Sequence, residues 1–545
     1  MASSSEAPSA ERKSRAPRSS VAFWALIVTA ALFGRVRLID GSMPYPSHLD
    51  EEQLAEPAAN ILRTGDWNPH QFEYPTLPLY LIAAGFAAGY LHAAATERVK
   101  RVEDIGSVSF PYYTHRRVVR PARILFAGLS VIAIGLSGVI GYRLIGNSSL
   151  LWLIPLLLTA SGTFLQLSCG YLNVDIVGAT FVTALLAFLM EPWQERDAVR
   201  RCVIAGGLCG LALASKYNLF TALLPGALAI VLGSSSGRLG RVALLVAVAV
   251  ATFLVAVPYA ILDVHTFLNG AGGAAHHYAF GHPAFSAAPG WPQLSYYVHG
   301  LTRDFGWISL PFVFAGIGVA LCTDWRRATV LLSFLVAHLL YMTAQRAHFT
   351  RNVISVHPVY AAFEGVGWIT AVSWYSTALS RTAFFAARER ARKVVFVSLI
   401  VLAVAIGTPW RRSAEGYLRE PDSRNLATAW IRHSVPEGST LIIARELAMS
   451  PAPLHAAYRV LELKVRDLDP ATVEGGADAF WVVPRLGFRS AQRKEMGEEL
   501  NRLLDERLTP LAQFGHSTAL LDYPERAPWG NPLVIIGRLR ASPPG

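Results

Sequence analysis

Residues 21–39 read VAFWALIVTAALFGRVRLI, and a short polar stretch then leads to Ser47-His48-Leu49-Asp50-Glu51-Glu52. The apolar run is long enough to cross a bilayer core. The acids that follow stand where the membrane surface begins. Carboxylates beside an apolar bundle are costly to keep, so their placement points to chemistry at the lipid–water boundary. The segment they open closes at Phe72-Glu73-Tyr74-Pro75.

Working outward, 52% of the 545 residues are hydrophobic and 16% charged, with a mean hydropathy of +0.35. That composition excludes an ordinary soluble globule and predicts a polytopic α-helical membrane protein. Further apolar stretches fall at 123–141, 150–169, 176–190, 242–257, 310–322, 328–344, 354–374 and 394–408. The piece 201–233 makes two short spans hinged at Ser215-Lys216-Tyr217-Asn218, giving about eleven in all. Residues 1–20, rich in Ser, Ala and Arg, read as a disordered cytoplasmic N-terminus. The net charge of +11 is scattered over short loops, which fits membrane topology and argues against a nucleic-acid partner. Cys169, Cys202, Cys209 and Cys322 lie in or beside apolar spans without paired spacing, which predicts neither a disulfide frame nor a zinc site.

Topology decides which residues can meet. A basic N-terminus held inside delivers Asp50 and Glu51 to the outer face. The apolar segment 76–95 is ambiguous between crossing and lying on the outer surface. If it does not cross, 13 Lys and Arg after residue 142 fall in inner loops and four in outer connections, as the positive-inside bias demands. Lys100, Arg101, Arg116 and Arg117 then remain outside. The transmembrane domain occupies 21–410, with outer loops at 40–122 and 259–304. Residues 411–545 lack a spanning stretch and alternate helical and strand-like patterns, which predicts a small extracytoplasmic α/β domain.

Under this topology one face gathers most of the chain's outer charge. A carboxylate at Asp50 suits general-base work, although Asp50 with Gln53 also reads as a helix-capping box. Glu73-Tyr74-Pro75 reads as a loop terminus, and Asp175 as a second acid or a helix N-cap. Lys216 interrupts an apolar run, either snorkelling to the interface or meeting an anion. Arg346 and Arg351 flank His348 in a short connection, where arginine's planar fork suits a phosphate or lipid headgroups. His276, His277, His282 and His299 share a long outer loop. Their spacing is a weak zinc signal, and contact with sugar or phosphate is as plausible.

Together these stretches resemble the glycosyltransferase-C superfamily, in its protein O-mannosyltransferase and aminoarabinose-transferase-like branch. The resemblance rests on His48-Leu49-Asp50-Glu51, Arg63-Thr64-Gly65-Asp66 and Phe72-Glu73-Tyr74-Pro75-Thr76-Leu77-Pro78. It continues through Asn173-Val174-Asp175, Ser215-Lys216-Tyr217, Arg351-Asn352 and His357-Pro358, covering roughly residues 20 to 375. It implies a membrane enzyme that moves a sugar, with inversion, from a polyprenyl-phosphate donor to a protein, lipid or glycan acceptor outside. Asp50 would be the base with Glu51 its neighbour. Glu73 and Asp175 would line the site, and Lys216, Arg346 and Arg351 would hold the phosphate; Tyr74, His277 and His348, on the same face, are further candidates for substrate contact. Tyr74 departs from relatives that carry a lysine there. Metal dependence differs between branches, so a divalent ion stays open. The rival reading, a transporter or lipid flippase, expects charges inside the spans and paired broken helices.

Overall fold

The computed structural model describes residues 18–45, 48–96, 116–146, 150–282, 285–381, 409–447, 449–463, 478–485, 508–515 and 533–539, with a few positions between 394 and 507. Its helical body comprises α1 (Arg18–Leu38), α2 (Leu49–Thr64), α3 (Leu77–Ala95), α4 (Arg116–Ile145), α5 (Leu153–Ala160), α6 (Gly162–Cys169), α7 (Val174–Leu189), α8 (Ala198–Ser215), α9 (Leu223–Gly233) and α10 (Arg238–Ala256). It continues with α11 (Tyr259–Leu262), α12 (Val264–Phe280), α13 (Trp291–Phe305), α14 (Ser309–Thr343) and α15 (His357–Ser380). Among the described residues, five helices are long and apolar enough to cross a membrane, or seven if each sharply bent pair is one span. The chain is an integral membrane protein. The expected span at 394–408 lies almost wholly, and the N-terminus 1–17 wholly, outside the described residues.

Small residues set the helix spacing. A Cβ added to Gly85 or Gly89 of α3 would lie 2.5 Å from Ala122 Cα or 2.4 Å from the Val118 carbonyl of α4. Such close backbone approach gives membrane helices packing contacts that lipid cannot replace. The segment 76–95, ambiguous in sequence between crossing and lying on the surface, forms α3 packed on α4 and is one of the five helices long and apolar enough to cross. Gly206 and Gly210 of α8 meet α10 in the same way. Replacing Gly89 by Leu is expected to destabilise the fold by about 1–3 kcal/mol, seen as earlier thermal unfolding in detergent. An unchanged transition would remove the packing role.

Several expected elements break or bend. The span 150–169 divides at extended Ser161, which caps α6 by accepting from Phe164 N at 3.2 Å. The helices α6 and α7 then meet at 115°, and α13 and α14 at 98°. The expected spans 310–322 and 328–344 are two helical halves of α14, separated by a kink at non-helical Asp324 (φ −150°, ψ 86°). The segment 259–304, expected as a long outer loop, is mostly helical: α12 and α13 carry its Gly and aromatic residues. Near the hinge expectation, Lys216 is extended (φ −155°, ψ 126°) and links α8 to a 3-10 turn over Tyr217–Ala222. Arg116, expected among the outer cations, pairs with Asp40 at 3.1 Å, and Arg120 pairs with the same carboxylate at 3.2 Å.

The C-terminal part has α16 (Pro409–Arg419), α17 (Ser423–Ser434) and strands β1 (Thr440–Ala444), β2 (Arg459–Leu463), β3 (Phe480–Pro484), β4 (Leu508–Phe514) and β5 (Val534–Leu539). The sheet runs β2-β1-β3-β5-β4, with β1 parallel to β2 and β3, and β5 antiparallel to β3 and β4. Register pairs Ile442 with Leu461 and Trp481, and Val482 with Ile536. Pro510 sits on the edge strand beside a register shift, where its missing N–H breaks no central ladder. Residues 501, 502 and 504–507, just before β4, are helical. Three contacts tie this domain to the segment before Asp50. Arg424 lies 3.7 Å over the Tyr45 ring, Ser450 N donates to Tyr45 Oη at 3.2 Å, and Asn425 Nδ2 donates to the Met43 carbonyl at 3.0 Å.

Candidate active site

Four interruptions in the helical body meet at one place. Asp50 stands in the first turn of α2, Asp175 in the first turn of α7, and Lys216 at the break after α8. Arg351 stands in the 3-10 turn Thr350–Val356 that leads into α15. Helix starts favour acids because their free N–H groups carry partial positive charge. Neither acid is the cap. His48 caps α2, its Nδ1 accepting from Asp50 N at 3.1 Å, and Asn173 caps α7, accepting from Ile176 N at 3.1 Å. The expected Asp50–Gln53 capping box is thus replaced by a histidine cap, which leaves the Asp50 carboxylate available for side-chain partners.

Those partners are cationic and phenolic. Arg351 Nη2 lies 2.7 Å from Asp50 Oδ2, and its Nε 3.9 Å from Asp175 Oδ2. Tyr74 Oη donates to Asp50 Oδ2 at 3.0 Å. Lys216 Nζ donates to Asp175 Oδ1 at 2.6 Å and to Asn352 Oδ1 at 3.0 Å, and Tyr278 Oη donates to the same amide oxygen at 2.9 Å. Arg351 also contacts His48 Nε2 at 3.0 Å and stacks over Phe349 at 4.6 Å. The His48 ring in turn stacks on Tyr171 at 4.4 Å. Two acids and two cations thus alternate in a largely buried cluster.

Electrostatics follow from that alternation. Burial alone would raise the Asp50 carboxyl, but Arg351, then His48, the Tyr74 hydrogen bond and Lys216 outweigh it and hold it down at about 2. Burial and the adjacent Asp50 charge push the Tyr74 phenol well above its ordinary range, so it remains a donor. His277 is lowered by burial, then by His282 and Arg351, with Asp50 opposing.

Other expected site residues are placed differently. Glu51 is fully buried, its carboxylate held by Arg123 Nη2 at 2.8 Å and Nε at 3.2 Å, with Leu172 N donating at 3.3 Å. Arg123 also donates to the Ile39 carbonyl and Ser42 Oγ, so this pair ties α2, α4 and the end of α1 together. Glu73 is exposed, beside Tyr74 in a cavity of about 160 Å³. His277 lies in the last turn of α12 and stacks on Phe349, the ring beneath Arg351, with centroids 6.3 Å apart. His348 stacks on Tyr296 at 4.1 Å. Arg346 is exposed, and its backbone joins Tyr278, Ala287 and Gln293. Tyr278 and Arg123 carried no local signal for their roles. Asn352 did, standing beside Arg351 in the quoted run.

For a divalent ion the donor set fits poorly. Asp50 and Asp175 each already face a cation, and among the described residues no three His, Cys, Asp or Glu converge for a metal.

No protein-family profile matches the chain, and no curated protein matches it in sequence. Solved structures do. The chain is similar to ArnT from Cupriavidus metallidurans bound to undecaprenyl phosphate, with a TM-score of 0.53 at 15% identity over 95% of this chain and 98% of that one. An oligosaccharyltransferase from Archaeoglobus fulgidus aligns with a TM-score of 0.48 at 12% identity over 91% and 73%. The Saccharomyces cerevisiae protein O-mannosyltransferase Pmt1-Pmt2 complex bound to the sugar donor aligns with 0.34 at 18% identity over 47% and 35%. The end-to-end alignment with ArnT, which takes in both the helical body and the appended sheet, shows that the two chains share a fold.

Proposed function

We propose that this protein is an integral membrane glycosyltransferase that moves a hexosyl or pentosyl group from a polyprenyl-phosphate donor to an extracytoplasmic acceptor, with inversion. The observation that carries the reading is the pairing of Asp50 with Arg351 beside Asp175 and Lys216. An inverting displacement needs a base on one side of the anomeric carbon and cationic support for the leaving group on the other. Asp50 takes the proton from the acceptor hydroxyl as its oxygen bonds to the anomeric carbon. The carbon–oxygen bond to phosphate breaks, and its electron pair departs on polyprenyl phosphate, stabilised by Arg351 and Lys216.

A carboxylate held at about 2 is a weak base. An arriving phosphate competes for Arg351. As the arginine turns toward it, Asp50 loses its leading acid-strengthening neighbour and becomes more basic. Donor binding and activation of the base are thereby coupled. Asp175 keeps Lys216 in place, while Tyr74 and His48 orient the Asp50 carboxylate. Glu73 and His277 stand at the rim, where they contact the acceptor or the sugar.

In this reading eleven spans occupy 21–410, the N-terminus is cytoplasmic, and 411–545 form an extracytoplasmic domain. The ArnT fold, found with undecaprenyl phosphate in that relative, supports a lipid-phosphate donor. The acceptor is a protein, a lipid or a glycan. Purified protein in proteoliposomes, offered radiolabelled polyprenyl-phosphate hexoses and pentoses with membrane acceptors, is expected to transfer label. Donor binding without transfer from any of these sugars would overturn the assignment in favour of transport.

A further inference from the structure

A cavity of about 610 Å³ lies away from the Asp50 cluster, between α1, α5, α6 and α16. Four arginines line it: Arg35, Arg37, Arg411 and Arg419, with Glu415 the single acid. None of its lining residues belongs to the Asp50 constellation. Arg35 is 1% exposed. Its Nε donates to Ser168 Oγ at 3.1 Å and its Nη1 to the Ala31 carbonyl at 3.4 Å, while Nη2 has no hydrogen-bond partner among the described residues. Thr159 Oγ1, also on the wall, is buried and likewise unpartnered.

The surrounding charges do not neutralise this guanidinium. Arg411 donates to the Thr159 carbonyl and lies 3.9 Å from Glu415, and Arg419 pairs with the same carboxylate. One acid therefore serves two arginines, leaving Arg35 and the exposed Arg37 as excess positive charge. A buried guanidinium with an unused N–H favours an anion that can accept from a planar fork, and phosphate does so best. The opposite wall is apolar, made by Ile27, Phe33 and Leu156, and Phe33 is 65% exposed on a helix that faces outward over most of its length. Cations at one end and open hydrocarbon-facing surface along the other form an amphipathic slot.

We propose that this cavity binds the phosphate headgroup of an anionic bilayer phospholipid, a lipid additional to any donor. Arg35 supplies the buried contact, Arg411 and Arg419 close over the headgroup, and the acyl chains lie along α1. The site stands whichever donor the Asp50 cluster takes. Because α16 leads into the C-terminal domain through Asp422, a lipid here holds that domain against the membrane.

Native mass spectrometry of the full chain in detergent, titrated separately with phosphatidylglycerol and phosphatidylcholine, tests this. Wild type is expected to retain phosphatidylglycerol roughly tenfold more strongly, and Arg411→Gln/Arg419→Gln should lose that preference. Equal retention of the two lipids by wild type, or an undiminished preference in the double variant, overturns the proposal. So does displacement of bound phosphatidylglycerol by millimolar inorganic phosphate, which would make the site one for a free anion. If the double variant does not fold, Arg37→Gln, at an exposed position, reads the same preference: a reduced one supports the proposal and an unchanged one overturns it.

Discussion

Replacing Asp50 by Asn is expected to lower sugar transfer by about 10²–10⁴-fold while donor binding persists. Asparagine keeps the side-chain shape and an acceptor for the Tyr74 hydroxyl, but it cannot take a proton at neutral pH. It also frees Arg351, so binding of polyprenyl phosphate should hold or tighten as turnover falls. Separate measurement of turnover and lipid retention checks the split, and near wild-type turnover in Asp50→Asn would sink the base assignment. The partner variant gives a second readout. In wild type the carboxyl, at about 2, stays ionised across the working range, so Asp50 imposes no acid limb on kcat/KM above pH 5. Arg351→Gln removes the leading influence that holds it down, so its pKa rises and an acid limb enters from low pH. An unshifted limb in that variant would separate Arg351 from the base.

The second large effect concerns stability rather than chemistry. Arg123→Leu leaves Glu51 buried without its cation, which is expected to cost about 3–5 kcal/mol and to lower the thermal transition in detergent sharply. Replacing both residues by Leu removes the unpaired charge and should restore most of that loss. The double variant also tests the role of Glu51 itself. If Glu51 only braces α2 against α4, Glu51→Leu/Arg123→Leu keeps substantial sugar transfer; if Glu51 takes part in the reaction, transfer disappears even in protein that melts normally.

Much of the architecture was readable along the chain. The helical spans declare themselves because a bilayer core demands roughly 20 apolar residues in a row, and composition alone marks α1, α4 and α10. The hinge at Lys216 was readable too, since a cation in the middle of an apolar run forces a break or an interface. Other features depend on geometry that spacing does not encode. Whether the span 150–169 breaks at Ser161 depends on the sharp turn between α6 and α7 and on what packs there. By contrast, the boundary inside α14 was readable, because the charged run at 324–327 separates two apolar stretches and the helix kinks at Asp324.

The candidate site divides the same way. Asp50, Asp175, Lys216 and Arg351 each stood out locally, as charges at the edge of apolar segments where desolvation makes an idle charge expensive. Glu51 and Asp50 look equivalent in sequence, yet successive helical positions lie about 100° apart, and one reaches Arg351 while the other is buried against Arg123. No local pattern separates them. By itself the sequence determined that this is a membrane protein with acids and cations at its surface, because hydropathy and charge are properties of single segments. Which acid meets which cation was decided only by tertiary structure, because partners as distant in sequence as Glu51 and Arg123, 72 residues apart, are brought together by helix packing.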